Sequence, residues 1–484
     1  MRLSPRSILM ASALCALATA PVQAETLRDA LAAAYESNPT LTAARSGQRA
    51  TDETVPIARA DGLPSANATL GYNELVVQSG GSPLGPDRIL NSQVSISVPL
   101  YQGGIVRNSV LAAESRVESG QALLRGTEAS IFSQVVGAYM DVLRDEAVVA
   151  LNSNNVDVLT VNLQATRDRF DIGDLTRTDV AQSDSRLALA RGQLQAAQAR
   201  LIASRESYIR LVGNAPGTLS PPAALPGLPG AVDVAVETAL AENPDLEAAQ
   251  IDAQASGFDV RAARGTRMPR VALTTTGGYS NYLGSAGAGV DGSLPSMTTG
   301  VSVSIPLFQG GRPAARVRQA QARESQAMER VIGIERSVVA QTRSAYASWR
   351  AANAVAESSQ VAVAASRLSL EGVRAENSVG NRTILDILNA EQEYLNAQVQ
   401  LVTARRDAYV AGFTLLAAMG RAEAEDIGLA NSTNYDPDTN YQRVRHAIWD
   451  WNDDPNPQPV ATRTVTTAAQ NAAVPGGDTP ALAR

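Results

Sequence analysis

Histidine, cysteine and lysine are almost absent from this chain of 484 residues. It has one histidine (His446), one cysteine (Cys15) and no lysine, so all 41 basic residues are arginine. Catalysis by a histidine-activated nucleophile, a cysteine or a Schiff-base lysine therefore has no good candidate. A zinc site of about four Cys/His ligands cannot be built from two such residues. The composition predicts no enzyme, no metal site and no cofactor.

Large aromatic side chains are also scarce. Aromatic residues make up 4% of the chain, and the hydrophobic content of 44% comes largely from alanine and valine. This composition argues against a compact globular domain with a large aromatic core. Long, thin helices that pack through small residues fit it better.

The first 24 residues have the pattern of a secretory signal peptide. Arg2 and Arg6 precede an apolar stretch at residues 8–20, and Ala24 ends a small-residue cleavage site. Cys15 lies inside the apolar stretch and is expected to be discarded with it. This prediction makes residues 1–24 a signal and directs the protein out of the cytoplasm.

The exported chain is acidic and has no further apolar run long enough for a membrane helix. Of the 41 arginines, loss of Arg2 and Arg6 leaves 39 against 48 acidic residues, a formal charge of −9. Nucleic-acid binding needs a basic face, so no nucleic-acid partner is expected. If this protein crosses a membrane, it does so as β-strands.

An internal repeat divides the chain into two halves. Residues 93–104 recur as residues 300–311, with eight of twelve positions identical at an offset of 207, and residues 170–180 recur as 377–387 at the same offset. We predict a first structural repeat at 25–213, a Pro/Gly-rich linker at 214–231 and a second repeat at 232–421. A C-terminal extension at 422–484 has no counterpart, and its tail is predicted to be disordered from about residue 455.

Each half is predicted to contain two strands between helical stretches. Apolar and polar residues alternate near 67–73 and 94–98, and again near 271–275 and 301–305. The segments 79–87 and 285–296 are rich in Gly, Pro and Ser and are predicted to be loops. Pro99 and Pro306 are expected to end the second strand of each pair.

Very long helices follow the strands. Residues from about 105 to 171 contain no proline, which allows a helix of roughly 100 Å. Apolar residues then recur every seven positions, at Val180, Leu187, Leu194, Leu201 and Tyr208. This period predicts supercoiling against a partner helix. A plain antiparallel coiled-coil hairpin would show the same pattern.

Four strands per chain are too few to close a membrane barrel. An open sheet edge in lipid would leave backbone groups unpaired, at several kcal/mol each. Either the strands never meet lipid, or several chains share one barrel. Two chains would give about eight strands and a filled interior, and three would give about twelve strands and room for a lumen. The residues favour a trimer over a dimer only weakly.

Together these features resemble the TolC family of outer-membrane efflux ducts over roughly residues 25–430. The resemblance rests on the duplicated halves, the Pro-Leu-aromatic-Gln-Gly-Gly motif after the second strand, an Asn-Pro in each half, and the glycine-containing helix turns. It implies a mainly α fold with a small β part: a homotrimer with a twelve-stranded barrel in outer-membrane lipid and a long antiparallel α-helical coiled-coil tunnel in the periplasm. It also implies two partners, a periplasmic adaptor (membrane fusion) protein and an inner-membrane ABC exporter or proton-driven pump.

Both helix turns carry local capping signals. Gly173 and Gly380 suit the left-handed residue that ends a helix. Thr176 with Asp179, and Thr383 with Asp386, have the spacing of capping boxes with Asp in the usual Glu position. Helix capping is therefore one predicted role for both aspartates.

The resemblance adds a second role, as the periplasmic aperture that closes the tunnel. Residue by residue, it places Thr178 and Asp179 on the acceptors of a constricting link, Arg382 on its donor and Asp386 on one aspartate of a charged ring. Asn389 stands where the family has a second ring aspartate, and Asn377 where it has a tyrosine that supports the link. Both departures imply a weaker field and a less tightly closed end. The tips are implied to dock the adaptor, through these residues: Gly173, Asp174, Gly380 and Asn381.

The predicted function is an outer-membrane duct of a tripartite efflux pump or type I secretion system, through which solutes or proteins pass passively to the exterior. The alternative is a periplasmic coiled-coil scaffold whose strands pair only in soluble hairpins. Trimers in the outer-membrane fraction would distinguish the duct from a soluble monomer.

Overall fold

The computed structural model describes residues 24–77, 87–283, 293–429 and 435–474. The signal-peptide prediction, apart from Ala24, and most of both predicted loops lie outside the described residues. The first half consists of α1 (Leu27–Ser37), α2 (Pro39–Asp52), α3 (Thr54–Ala60), β1 (Ser65–Glu74), β2 (Arg88–Tyr101), α4 (Ile105–Asp171) and α5 (Arg177–Val212).

The second half repeats this order. It consists of α6 (Val232–Glu242), α7 (Pro244–Gly265), β3 (Arg270–Asn281), β4 (Ser293–Ser304), α8 (Arg312–Ser378) and α9 (Ile384–Ala418), and α10 (Pro437–Val444) follows in the C-terminal extension. The long helices α4 and α8 have 67 residues each. That length corresponds to roughly 100 Å, as the proline-free stretch predicts.

The Asn-Pro of each half is a two-sided helix cap. Asn38 accepts hydrogen bonds from the backbone of the first turn of α2, and its Nδ2 donates to Leu211 O, in the last turn of α5, at 2.9 Å. Asn243 caps α7 in the same way and donates to Ala418 O, at the end of α9, at 3.1 Å. Each asparagine thus satisfies orphan donors of one helix and an orphan carbonyl of another, which fixes where the short helices meet the long ones.

The four strands form one antiparallel sheet in the order β1-β2-β3-β4. The register places apolar residues on a common face: Ala68 lies opposite Val94, and Leu273 lies between Val98 and Val301. The other face is polar, with Asn67 opposite Ser95, which is opposite Thr276, which is opposite Thr298. The predicted alternation of apolar and polar residues is confirmed at the paired positions of all four predicted segments, whereas the ends of the strands depart from it, with Glu74 opposite Arg88 and Asn281 opposite Ser293.

The strands run further than the sequence predicts. β2 continues through Pro99 to Tyr101, with a register shift against β3 between these two residues, so the prediction that Pro99 ends the strand is wrong. Proline is tolerated there because β1 pairs with β2 only as far as Ser97, which leaves an edge. β4 begins at Ser293, inside the segment 285–296 that the composition predicts to be a loop. Pro295 lies opposite Tyr279 on β3.

A pair of glycines turns each half from strand to long helix. Gly103 and Gly104 have φ of 66° and 80°, and Gly310 and Gly311 have φ of 59° and 79°. These left-handed conformations favour glycine. At Gly103 a Cβ would also collide with Gly265 O. Both the backbone conformation and the lack of space therefore favour glycine at this position.

The long helices pack as two antiparallel pairs, α4 with α5 and α8 with α9, and the main core lies where α4, α5 and α9 meet α1. Its largest fully buried side chains include Tyr139, Tyr208, Phe132 and Phe413. The two long helices differ in burial: 27 residues of α4 are buried, but only six of α8. One chain therefore covers α4 and leaves most of α8 exposed.

The C-terminal tail is held against the helices as far as residue 474. Residues 455–474 contain no helix or strand, but Arg205 Nη1 donates to Asn471 O at 2.7 Å and its Nη2 to Ala473 O at 2.9 Å. Val474 packs on the main core. The disorder predicted from about residue 455 stays a prediction; in the described part of the tail, a buried arginine provides donors for two of its carbonyls.

Among the described helices, none combines the length and the apolar character of a membrane-spanning segment.

Candidate functional site

Two helix turns, α4–α5 and α8–α9, lie at the far ends of the long helices. Gly173 and Gly380 take φ of 84° and 82° there. Both predicted capping boxes are present: Thr176 and Thr383 accept from the backbone N–H of Asp179 and Asp386, and each carboxylate accepts in return from the threonine backbone N–H at 2.9 Å.

An ion pair closes each turn, with its charges in opposite order. In the first turn Arg169 Nε donates to Asp174 Oδ2 at 2.7 Å, and in the second Arg382 Nε donates to Glu376 Oε2 at 2.7 Å. Asn377 Nδ2 donates to Arg382 O at 2.7 Å. Within the described part of one chain, Arg382 therefore pairs with Glu376 and not with Thr178 or Asp179.

The two cap aspartates are held in the charged form. Hydrogen bonds from the Thr176 side chain and backbone lower the pKa of Asp179 below its usual value. The backbone and side chain of Thr383, with a smaller contribution from Arg382, lower the pKa of Asp386 in the same way. Both carboxylates therefore carry a full negative charge at neutral pH.

Asn389 has a partner that the sequence does not reveal. Its Oδ1 accepts from Arg186 Nη2, on α5, at 2.7 Å. This bond joins the second helix pair to the first, close to the turns. It also brings a positive charge to the position where the family resemblance implies a carboxylate.

A buried carboxylate provides a second connection between the helix pairs. Glu391 is 5% exposed. Its two oxygens accept from Asn162 Nδ2, on α4, at 2.9 and 3.0 Å, and Oε1 also accepts from Arg374 Nη2, on α8, at 3.0 Å. One residue of α9 thus binds both of the longest helices.

An apolar cluster lies between these two polar contacts. Leu388, one helical turn before Glu391, is 1% exposed and packs against residues of α4 and α5: Leu159, Leu163, Leu187 and Ala190. The inter-pair contact therefore has an apolar centre and two polar connections. Sequence reasoning missed it, although a glutamate between Leu388 and Leu395 at helical spacing is a recognisable interruption of an apolar stripe.

These observations define a class of protein. A duplicated chain with an amphipathic sheet at one end, two long antiparallel helix pairs and charged turns at the other end has the architecture of one subunit of a transport duct. The chain belongs to the outer membrane efflux protein family, which matches residues 30–214 and 235–421. The predicted resemblance to the TolC family is confirmed.

Two curated relatives and one solved structure are similar to this chain. Outer membrane efflux protein BepC of Brucella suis is 34% identical over 87% of this chain and 91% of its own length. Outer membrane protein TolC of Vibrio cholerae is 25% identical over 87% and 96%. The Campylobacter jejuni CmeC outer membrane channel has a TM-score of 0.71 at 16% identity, with 87% of this chain and 89% of that one covered.

The predicted class and location are confirmed by this membership. The protein is an outer-membrane duct for efflux or type I secretion in Gram-negative bacteria. Its family is one of transport channels and not of enzymes. The alternative of a periplasmic scaffold without a pore does not agree with that membership.

Proposed function

We propose that three copies of this chain form one continuous duct, with a shared barrel of twelve strands in the outer membrane and a helical tunnel below it. The single observation that carries this proposal is the sheet. It has a mainly apolar and a mainly polar face, and among the described strands β1 and β4 each have a neighbour on one side only. Strands of 10 to 14 residues are long enough to span a bilayer.

Closure by further copies satisfies both features of the sheet. β4 of one chain would pair with β1 of the next, so that no backbone edge meets lipid. The apolar face would then contact lipid while the polar face lines a water-filled lumen. Three chains leave such a lumen, whereas two would give a barrel filled by side chains.

The long helix α8 supports the same assembly. Large apolar side chains on it are exposed in the single chain, among them Val361 at 67% and Leu368 at 69%. A second chain packed along α8 would cover them, as α5 and α9 cover α4. In a ring of identical chains, helix pairs of neighbouring chains would lie side by side in this way.

The test is assembly and conduction of the purified protein. Heat-modifiable trimers in the outer-membrane fraction, which open water-filled channels in planar bilayers, are the expected result. A monomer that stays soluble after cell fractionation, or trimers that do not conduct, would contradict the proposal.

The helix turns are proposed to face the other components of an export pump. Each tip exposes one large apolar side chain beside its glycine, Ile172 at 80% and Val379 at 71%. An apolar residue on a charged tip is a suitable contact for a periplasmic adaptor, with Asp174 and Asn381 at the rim. The adaptor would connect the duct to an inner-membrane ABC exporter or proton-driven pump.

The same end is proposed to form the aperture. Three copies of Asp386 around the axis would attract cations and repel anions. In closing the end, Arg382 would exchange Glu376 for Thr178 or Asp179 of a facing helix pair. Asn389, bound to Arg186, would add no negative charge, so the ring would have three carboxylates.

Asp386→Asn is expected to lower the preference of the channel for cations over anions several-fold, because it removes the ring charge. Asparagine retains an oxygen that can accept the capping hydrogen bonds. The measurement is the reversal potential in a salt gradient across a planar bilayer. Asp171→Asn, an exposed carboxylate at the end of α4, is the matched control. Equal reversal potentials in wild type and Asp386→Asn would refute the ring.

Glu391→Ala is expected to raise the open probability of the duct. It removes the charged acceptor to which Asn162 of α4 and Arg374 of α8 donate. A hydrogen bond to a charged group contributes about 1.5–3 kcal/mol, and the bond from Asn162 holds α9 against α4. That energy corresponds to roughly tenfold or more in the ratio of closed to open states. Single-channel recording provides the measurement, and Glu393→Ala, exposed on the same helix, provides the control. If both variants change the open probability equally, Glu391 has no specific role.

A further inference from the structure

The C-terminal extension first follows the helices towards the sheet. Asn440 Nδ2 of α10 donates to Asp52 Oδ2, at the end of α2, at 2.7 Å. Tyr441 packs against a small cluster on α3 and α4: Val55, Ala113 and Val117. Since α4 begins at Ile105, α10 lies on the part of the helical body that is nearest to the strands.

The end of α10 comes close to the foot of the sheet. Arg59 Nη1 donates to Arg445 O at 2.7 Å and lies beside His446 Nδ1. Two residues after Arg59, Asp61 O accepts from Gln102 Nε2 at 2.7 Å. Gln102 directly follows the last residue of β2. A short chain of contacts therefore connects the end of α10 to the end of a strand.

The extension then turns back, and an ion pair closes the turn. Both Nη atoms of Arg443 donate to the Asp454 carboxylate, at 2.9 and 3.0 Å. Further along, the Thr462 hydroxyl lies against Gly213 and Ala473 O accepts from Arg205, both far from the strands along the long helices. Residues 446–453, which we call the apex loop, thus follow the contact with Arg59 and lie nearer to the sheet than the later described part of the extension, up to residue 474.

The apex loop presents large apolar side chains to solvent. Ile448 is 72% exposed, Trp449 74% and Trp451 85%. Two of the three tryptophans of the chain lie here, in a protein with only 4% aromatic residues. Three such side chains in four residues, on a loop fixed by an ion pair at its base, form an unpartnered apolar surface.

We propose that the apex loop binds the periplasmic leaflet of the outer membrane, with Trp449 and Trp451 in the headgroup region of zwitterionic phospholipids. Tryptophan prefers the membrane–water interface, and barrels carry aromatic girdles there. The loop begins near the foot of the sheet, where the periplasmic headgroup region lies if the strands span the bilayer. The carboxylates of Asp450 and Asp453 would stay in the wet headgroup zone, whereas the core of a protein interface is depleted of charge.

This proposal rests on the placement of the sheet in the membrane, so its test records conduction in the same sample. Trp349→Phe leaves the two apex tryptophans as the only ones in the protein. Trp449→Phe combined with Trp451→Phe leaves Trp349, which packs on Tyr346, as the matched control. Each variant is reconstituted into phosphatidylcholine vesicles with or without bromine on the acyl chains near the headgroup.

Brominated lipid is expected to quench most of the apex emission and to leave the Trp349 emission unchanged. Conducting vesicles in which apex emission is quenched by aqueous iodide but not by brominated lipid would overturn the inference and leave the duct intact. Blue-shifted apex emission that neither quencher reaches would place the loop against protein and also overturn it. A change on adding soluble peptidoglycan fragments, without bromolipid quenching, would identify a glycan surface instead. Vesicles that hold no conducting trimers would contradict both the duct and the inference.

Discussion

Arg205→Ala is expected to lower the free energy of unfolding by about 3–5 kcal/mol, because it leaves a buried carboxylate without its partner. Arg205 on α5 and Glu146 on α4 are 7% and 8% exposed, and Arg205 Nη2 donates to Glu146 Oε1 at 2.6 Å. The same guanidinium holds the carbonyls of Asn471 and Ala473 in the C-terminal tail. One substitution therefore removes two hydrogen bonds to the tail and leaves the buried carboxylate of Glu146 unpaired.

The pH dependence of this loss follows from Glu146. Burial already raises the pKa of Glu146, while Arg205 lowers it. Without Arg205 the pKa would rise further, and the carboxyl would become neutral as the pH falls. The destabilisation should therefore be largest at neutral pH and smaller in mild acid. Urea unfolding in detergent, followed by circular dichroism, measures both.

Two further variants separate the ion pair from other effects of the substitution. Arg200→Ala removes an exposed arginine from the same helix and should change stability by less than about 0.5 kcal/mol. Arg205→Met combined with Glu146→Leu should recover most of the loss, because an apolar pair of similar volume can replace a buried ion pair. A single variant Arg205→Ala as stable as Arg200→Ala would refute the structural role of this pair.

The repeat and the two periodicities were sufficient to predict the strands and the paired long helices, and the family resemblance supplied the rest of the architecture. Alternation at 94–98 and 301–305 identified strands, and the seven-residue spacing from Val180 to Tyr208 identified helices that pack in pairs. These signals are local, because each depends only on the spacing of neighbouring residues along one element. They missed a tertiary contact at Pro99: the pairing of β1 with β2 ends at Ser97 of β2, so Pro99, two residues later, has no β1 neighbour.

In the candidate site, too, local contacts could be predicted from the sequence and long-range contacts could not. The caps at Thr176 and Thr383 could be predicted, because both partners lie within one turn of helix. Glu391 with Asn162 could not, because 229 residues separate them and only the packing of α9 on α4 brings them together. The Asn-Pro motifs are intermediate: the cap of Asn38 on α2 is local, whereas its bond to the end of α5 depends on the fold.

Glu128→Gln is expected to stabilise the protein by about 3 kcal/mol above neutral pH, and to have little effect in acid. Glu128 on α4 is buried, and burial raises its pKa from 4.5 to about 7. Arg45 and Arg125 favour its charged form, whereas Glu423 opposes it. Arg45 is itself engaged elsewhere, since its guanidinium stacks on the rings of Tyr35 and Tyr435. The arginines therefore do not compensate for the burial of this carboxylate.

The direction of this pH effect follows from how tightly Glu128 binds its proton in the folded and unfolded chain. Since the folded chain holds this proton more tightly than the unfolded chain, the contribution of Glu128 is fully present below pH 4.5 and is lost as the pH rises through about 7. Glutamine carries no charge at any pH, so the difference between variant and wild type isolates this carboxyl from Glu423 and Asp52, whose pKa values are also raised by burial. Glu118→Gln, exposed on the same helix, should leave the profile of urea unfolding against pH unchanged. Parallel profiles for wild type and Glu128→Gln would show that Glu128 ionises in the folded duct as readily as in the unfolded chain, and that water or a neighbouring subunit solvates it there.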